Sequence, residues 1–315
     1  MRVATIDIGT NTTLLLVAER NEQGIVKPLA ERAEITRLGR GIGGDGLLRA
    51  ENVARTLEVL REYTREAQTL QAPVFAIGTE GLRRAPNAQD FLQPAATILG
   101  TPVEVISGDR EAHLTFLAAQ RSFPREAEGD VVVIDIGGGS TEIIIANAAN
   151  ITYRQSLPLG SVRLTEAFVH SDPPQAEDVH RLEAHVRQTL ASVPFPAHAT
   201  LIGTAGTVTT LAAMAQELRD YDPAAVHGFR LSRQALHEQR LRLRAATQAE
   251  REQMAGLDPR RADVVFAGAT LLAGIVEQAG AAAVLVSDRG IRWGLAFDQF
   301  DNLRLATVPP GEIRP

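Results

Sequence analysis

The chain contains no cysteine. Disulfides, zinc–thiolate sites, iron–sulfur clusters and cysteine nucleophiles are therefore excluded, and the absence fits a reducing compartment. Lysine is almost as scarce: among 315 residues Lys27 stands alone, and arginine carries the remaining basic charge. No lysine-bearing Walker loop can exist, so any phosphate site must use backbone amides, arginine or a metal ion. No apolar run reaches the ~20 residues that a membrane span needs. The opening MRVATIDIG enters an apparent strand without a charged-then-apolar leader, and the expectation is a cytoplasmic protein with no membrane partner. The net charge of −6 argues against a broad nucleic-acid surface. A polyanion can still be held where basic groups gather locally. The histidines show no tight metal spacing; His180 and His185, for example, are five apart rather than four. There is no Gly-x-Ser-x-Gly elbow, which argues against acyl transfer.

Hydrophobic residues make up 44% of the chain and charged residues 22%, a composition that suits two medium soluble domains. Two segments repeat. Val3–Ala18 reads VATIDIGTNTTLLLVA and Val131–Ala146 reads VVVIDIGGGSTEIIIA. In each, a β-branched run meets Asp-Ile-Gly, then a small polar turn, then a second apolar run. This pattern predicts a β-hairpin. A single such hairpin could be purely structural; two with Asp at the same offset suggest a duplicated domain with a cleft between the halves.

Other segments alternate between helix-like and strand-like patterns. Asn52–Leu70, Glu111–Arg121, Ala176–Leu190, Leu231–Arg244 and Ala262–Gln278 read as helices. Val74–Gly78, Val103–Ile106 and Ala283–Ser287 read as strands. The alternation implies an α/β fold. The polar stretch Ser122–Asp130 is the expected linker, dividing the chain into residues 1–121 and 122–315, and a helix over about 292–305 is expected to pack back on the first half. The glycine-rich Gly39–Gly46 reads as a flexible loop.

Asp7 and Asp135 each sit where a strand enters a turn, where a carboxylate can hold a hydrated Mg²⁺ beside a phosphate; each could equally cap its own turn. Gly137, Gly138 and Gly139 would let backbone N–H groups converge on an anion, with Ser140 and Thr141 adding hydroxyl donors. Glu142, beside such a cradle, makes sense as a metal ligand; the plain alternative is an exposed hairpin charge. Thr10, Asn11 and Thr12 form the matching loop of the first half. A third small-residue turn, LIGTAGTVTT, brings Gly203 and Gly206. Arg83 or Arg84 could reach a phosphate with a planar fork, although surface arginines are usually just solvated. Glu111 falls in the first turn of a helix that Ser107 or Asp109 can cap. It either complements the helix dipole or deprotonates a water.

In this order, IDIGTNTTLLLVA, RLGRGI, LRRAPN, VISGDREA, VIDIGGGSTEIIIA, SLPLGSVRLTEAF, GTAGTVTTLAA, VHGFRLS, RADVVFAGA and SDRGIRWG resemble the exopolyphosphatase / guanosine pentaphosphate phosphohydrolase family in its short, two-domain form. The resemblance implies two actin-like, RNase H-like domains of the sugar kinase, actin and chaperone ATPase superfamily, flanking a cleft. It implies Mg²⁺, with Mn²⁺ as the alternative, and a homodimer. By position it makes Glu111 the general base and Asp135 its partner in metal binding, and it puts Glu142 in the second phosphate loop; Asp7 and Glu142 as metal ligands rest on the reading of the residues above. The resemblance puts Asn11, Thr12, Arg83, Gly137, Gly138 and Ser140 on phosphate. Two departures stand near the expected cleft: His113 where many members carry arginine, and Glu80 where a small or hydroxyl residue is common. The implied activity is release of orthophosphate from inorganic polyphosphate. Guanosine pentaphosphate hydrolysis and non-catalytic alarmone binding remain the alternatives.

Overall fold

A computed structural model describes residues 1–42, 45–148 and 150–307, with side chains through 303. Gly43 and Gly44 of the glycine-rich stretch lie outside the described residues. The first half opens with β1 (Arg2–Ile8), β2 (Thr13–Arg20) and β3 (Val26–Glu34). It continues through α1 (Ala50–Thr69), β4 (Val74–Gly78), α2 (Glu80–Arg84), α3 (Gln89–Leu99), β5 (Val103–Val105) and α4 (Gly108–Ser122). Its sheet runs β3-β2-β1-β4-β5. The three leading strands are antiparallel neighbours, and β4 and β5 are parallel to β1.

The second half repeats this plan. A short 3-10 turn over Glu126–Glu128 occupies the expected linker. There follow β6 (Asp130–Ile136), β7 (Thr141–Asn147), β8 (Asn150–Leu157), α5 (Ser161–Phe168), α6 (Ala176–Leu190), β9 (Thr200–Thr204), α7 (Ala205–Ala215) and α8 (Pro223–Val226). Then come β10 (Arg230–Ser232), α9 (Arg233–Ala245), α10 (Gln248–Arg251), α11 (Val265–Gln278), β11 (Ala283–Val286) and α12 (Ile291–Thr307). The sheet order is β10-β11-β9-β6-β7-β8, so β8-β7-β6-β9-β11 answers strand for strand to the first sheet. The correspondence extends to irregularities. The pairing of β2 with β3 shifts register at Val17/Ala18, and that of β7 with β8 shifts at Ile145/Ala146. Both shifts fall on the final alanine of the sequence repeat. The fold is α/β, with two sheets of one topology.

The central strands of both sheets are apolar on both faces because helices cover them. Ile6, Ile8, Leu15 and Val17 pack toward α1 and α3 with Leu60 and Phe91. Val3, Leu16 and Ala18 pack toward α12 with Trp293, Phe297 and Phe300. In the second half Val131, Val133 and Ile144 meet Ala112, Phe116 and Ala119 of α4. Helix α4 also reaches the first half through Leu114, which clusters with Ile77, Ile106 and Leu295. It lies directly on α12: a Cβ added at Gly294 would come within 1.9 Å of the Leu114 carbonyl oxygen. Helices α4 and α12 thus fill the space between the two sheets, and α4 carries Glu111 into it.

Candidate active site

Strand register explains why the carboxylates meet. Asp7 is the penultimate residue of β1, and Asp135 the penultimate residue of β6. Glu142 of β7 stands directly opposite Asp135 in the antiparallel ladder, so the two side chains share a face. Glu111 comes from the first turn of α4, which Ser107 caps by accepting from the Arg110 N–H at 3.2 Å. Asp7, Glu111, Asp135 and Glu142 are all at most 8% exposed.

The electrostatic consequence is severe, because burial penalises each charge and the carboxylates repel one another. Burial, followed by Glu111 and Asp135, raises Asp7 well above the ordinary carboxylate range. Burial, followed by the same two neighbours, does so for Glu142. Burial lifts Asp135 to about 6, against one Thr115 hydroxyl at 3.3 Å. Burial lifts Glu111 to about 7, against the opposing pull of Arg83. Glu142 is held by hydroxyl donors, Ser140 at 2.9 Å and Ser156 at 2.6 Å. The buried Oδ1 of Asp7 has no hydrogen-bond partner among the described residues. A set of buried hard oxygen donors that includes an orphaned acceptor fits Mg²⁺ or a similar cation. Among the described residues, no three His, Asp or Glu side chains converge tightly enough to hold an ion unaided.

These residues line one cavity of about 650 Å³ between the halves. Thr10, Asn11 and Thr12 line it from the first turn, and Gly137, Gly138, Gly139 and Ser140 from the second. The turns touch. Added Cβ atoms would lie 3.1 Å from Asn11 Cβ at Gly138, and 3.0 Å from Thr10 Oγ1 at Gly139. These glycines therefore serve the close approach of the turns as well as any anion. Gly206 also lines the cavity, near the start of α7, where free backbone N–H groups and the helix dipole favour an anion. Ala205, just before it, is held at φ 68°, a conformation disfavoured for a side-chain-bearing residue and frequent at functional turns.

Several expected site residues do something else. Thr141 is fully buried beneath its turn, donating to the Leu159 carbonyl at 2.6 Å, and does not line the cavity. Its place in β7 turns its hydroxyl inward. Gly203 is a packing glycine: Val284 and Val208 methyls come within 2.9 Å of where its Cβ would be. Arg83 does not line the cavity either. Its Nη1 donates to Glu111 Oε2 at 2.7 Å and to the Ile106 carbonyl at 2.8 Å, so it grips the candidate base. Arg84 pairs with Glu80 at 3.1 Å. His113 is exposed on α4 and does not line the cavity.

Two cationic residues were not anticipated. Arg261 lies over Gly206, with its Nη1 2.1 Å from the position of an added Cβ, and donates to Thr12 Oγ1 at 3.4 Å. Burial pushes its guanidinium below the usual arginine range, which marks a cation short of compensation. Arg292, buried at the start of α12, donates to Glu31 at 2.8 Å and lowers the charging cost of Asp7. Their motifs, RADVV and SDRGIRWG, were visible as strings; nothing local shows that they face the turns.

The model of the Ppx/GppA phosphatase family matches residues 16–303. Exopolyphosphatase 2 of Mycobacterium tuberculosis is 35% identical over 313 residues, covering 94% of this chain and 98% of its own length. The solved Ppx/GppA family member from Aquifex aeolicus superposes with a TM-score of 0.83 at 34% identity, over 96% of this chain and 98% of its own. An exopolyphosphatase structure from Cytophaga hutchinsonii gives a TM-score of 0.88 at 29% identity, over 96% and 98%. A family-model match that runs from residue 16 through the second strand–turn–strand repeat, α4 and the Gly206 turn, with relatives that cover nearly the whole chain, leaves one assignment: the chain belongs to the Ppx/GppA phosphatase family.

Proposed function

We propose that the protein is an exopolyphosphatase that hydrolyses the terminal phosphoanhydride bond of inorganic polyphosphate. The observation that carries this reading is Glu111. It is a buried carboxylate gripped by Arg83, with protonation balanced at about 7, on the wall of a cavity lined by two small-residue turns. A general base works best when its pKa lies near the operating pH. In its deprotonated form Glu111 takes a proton from a water aligned with the terminal phosphorus. The water oxygen bonds to phosphorus as the bridging oxygen departs on the shortened chain. Backbone amides of Gly137–Ser140, the start of α7 and Arg261 neutralise the phosphoryl oxygens. Such positioning and charge stabilisation make up most of phosphoryl-transfer catalysis. Asp7, Asp135 and Glu142 would hold a divalent cation, Mg²⁺ in this reading and Mn²⁺ as the alternative, which supplies Lewis-acid charge at the phosphate oxygens.

The same reading takes residues 1–121 and 122–315 as the two lobes, with α12 returning to the first. It includes the homodimer that the resemblance implies and the cytoplasmic setting expected from the sequence. Guanosine pentaphosphate is the second substrate reading, and one feature favours it. The cavity extends past the turns to Ala213, Leu218, Pro223, Met254 and Tyr221, an apolar wall suited to a nucleoside. Phosphate release should be measured across polyphosphate lengths and on guanosine pentaphosphate, with and without chelator. Glu111→Gln should lose ~10²–10⁴-fold in kcat while remaining folded. Full activity in that variant removes Glu111 from the mechanism.

A further inference from the structure

Glu80 departs from the small or hydroxyl residue expected at its position, and the structure gives it a partner. It opens the five-residue helix α2, and its carboxylate is only 13% exposed. Oε1 accepts from Arg163 Nη2 of α5, in the other half, and from Arg84 at 3.1 Å. Oε2 occupies the space beside Gly139; an added Cβ there would fall 2.2 Å away. Arg163 also donates its Nε to the Gly139 carbonyl at 2.8 Å. One guanidinium therefore holds the glycine turn of the second half and clasps an acid of the first.

Helix α2 has further attachments. Gly81 packs on Thr10 of the first turn, 3.2 Å from an added Cβ to the hydroxyl. Arg83, within the same five residues, grips Glu111. Other ion pairs cross between the halves, such as Arg37 with Asp263 at 3.2 Å and Arg260 with Glu34 at 3.1 Å. The second of these pairs is exposed; the first is part-buried, and Arg37 also donates its backbone N–H to the Asn11 carbonyl of the first turn at 2.9 Å, but neither guanidinium is bonded to the glycine turn of the second half as Arg163 is. A part-buried, charge-assisted bond is worth more than a solvated one.

We propose that Glu80 and Arg163 form a positioning latch, which holds the two halves closed with their turns in contact around the substrate. Without it the open form gains population, and substrate must supply the closure. The penalty falls on KM, which rises about tenfold in Glu80→Gln or Arg163→Gln, with kcat held within about twofold. Arg83→Gln acts on the base and lowers kcat instead. Arg84→Gln, which removes only the exposed partner, changes neither.

The test combines small-angle scattering of the full chain, without substrate, with steady-state kinetics. Each single variant should show a larger radius of gyration than wild type, and the double E80Q/R163Q no larger than either single. The charge swap E80R/R163E should recover part of the closure. Wild-type scattering and KM in both single variants overturns the latch. So do additive effects in the double variant, or a swap more open than the singles. Should the Gln variants fail to fold, the swap alone decides. The kinetic part rests on the proposed hydrolysis and the scattering does not. A wild-type protein that releases no phosphate from any substrate therefore sinks the activity and leaves the latch to scattering.

Discussion

Asp135→Asn should stabilise the metal-free protein while destroying its activity, and the gain should depend on pH in a defined way. Burial raises Asp135 from its ordinary 3.8 to about 6, with the Thr115 hydroxyl as the only compensating side-chain donor among the described residues. A folded-state pKa above the unfolded one means that the folded chain binds the extra proton. The contribution is then complete below about 3.8 and lost as pH rises through about 6. By pH 8 the loss is on the order of 3 kcal/mol for this carboxyl, and at pH 5 roughly half of that. Asparagine keeps the shape and an acceptor for Thr115 and never ionises. Its metal-free Tm should therefore exceed wild type by roughly 5 °C at pH 8 and by about half that at pH 5. Thermal unfolding in chelator at the two pH values reads this directly. Millimolar Mg²⁺ should raise the wild-type Tm at pH 8 through preferential binding to the folded state, and raise the variant's much less. A lower Tm for the variant at pH 8, or an equal shift at both pH values, would refute the account of a frustrated carboxylate cluster.

Two further outcomes follow from the same geometry. Arg83 lowers the pKa of Glu111 by charge and by its hydrogen bond, so Arg83→Gln should move the acidic limb of the kcat–pH profile to higher pH. The loss should be about tenfold at pH 7 and partly recovered by pH 9; an unmoved limb would mean that Arg83 does not tune the base. Gly294→Ala would drive a methyl into the Leu114 carbonyl one turn from Glu111. It should cost about 1–3 kcal/mol in thermal or denaturant unfolding and lower kcat by displacing α4, whereas Gly129→Ala, with open space around it, should do neither.

The parts of this molecule legible in the sequence are those whose signal is local or repeated. Strand β4 and helix α6 fall at the residues expected, because an uninterrupted apolar run and a helical period bounded by Pro173 and Pro174 leave little choice. The duplication was legible because Asp7 and Asp135 recur at one offset inside matching hairpins. Strands β3 and β8 were not. Each is the edge strand flanking a repeated hairpin, largely exposed, and an edge strand needs no continuous apolar run. Pro28 within β3 sits opposite the register shift at Ala18, where a proline is tolerated but reads as a break. Thr141 and Gly203 show the opposite failure. A small residue in a turn motif has the same local signature whether it faces an anion or a neighbouring valine, and only the third dimension separates the two.

That asymmetry bears on the chemistry. The acidic side of the site, Asp7, Asp135 and Glu142, comes from two hairpins and is written into ten-residue stretches of sequence. The compensating side is assembled from afar. Arg83 reaches Glu111 across 28 positions, and Arg261 reaches Thr12 across 249. A reading of motifs alone therefore sees too much negative charge for a phosphate site and assigns the nearest arginine to the substrate. The fold instead joins Arg83 to Glu111 and brings Arg261 to the Gly206 turn; in the proposed mechanism the guanidinium that meets phosphate is then Arg261, whose place beside the turns its sequence neighbourhood does not show. If Arg261 takes that part, conservative replacement by lysine should not rescue it. Its planar group is stacked over a glycine that an ammonium would leave uncovered.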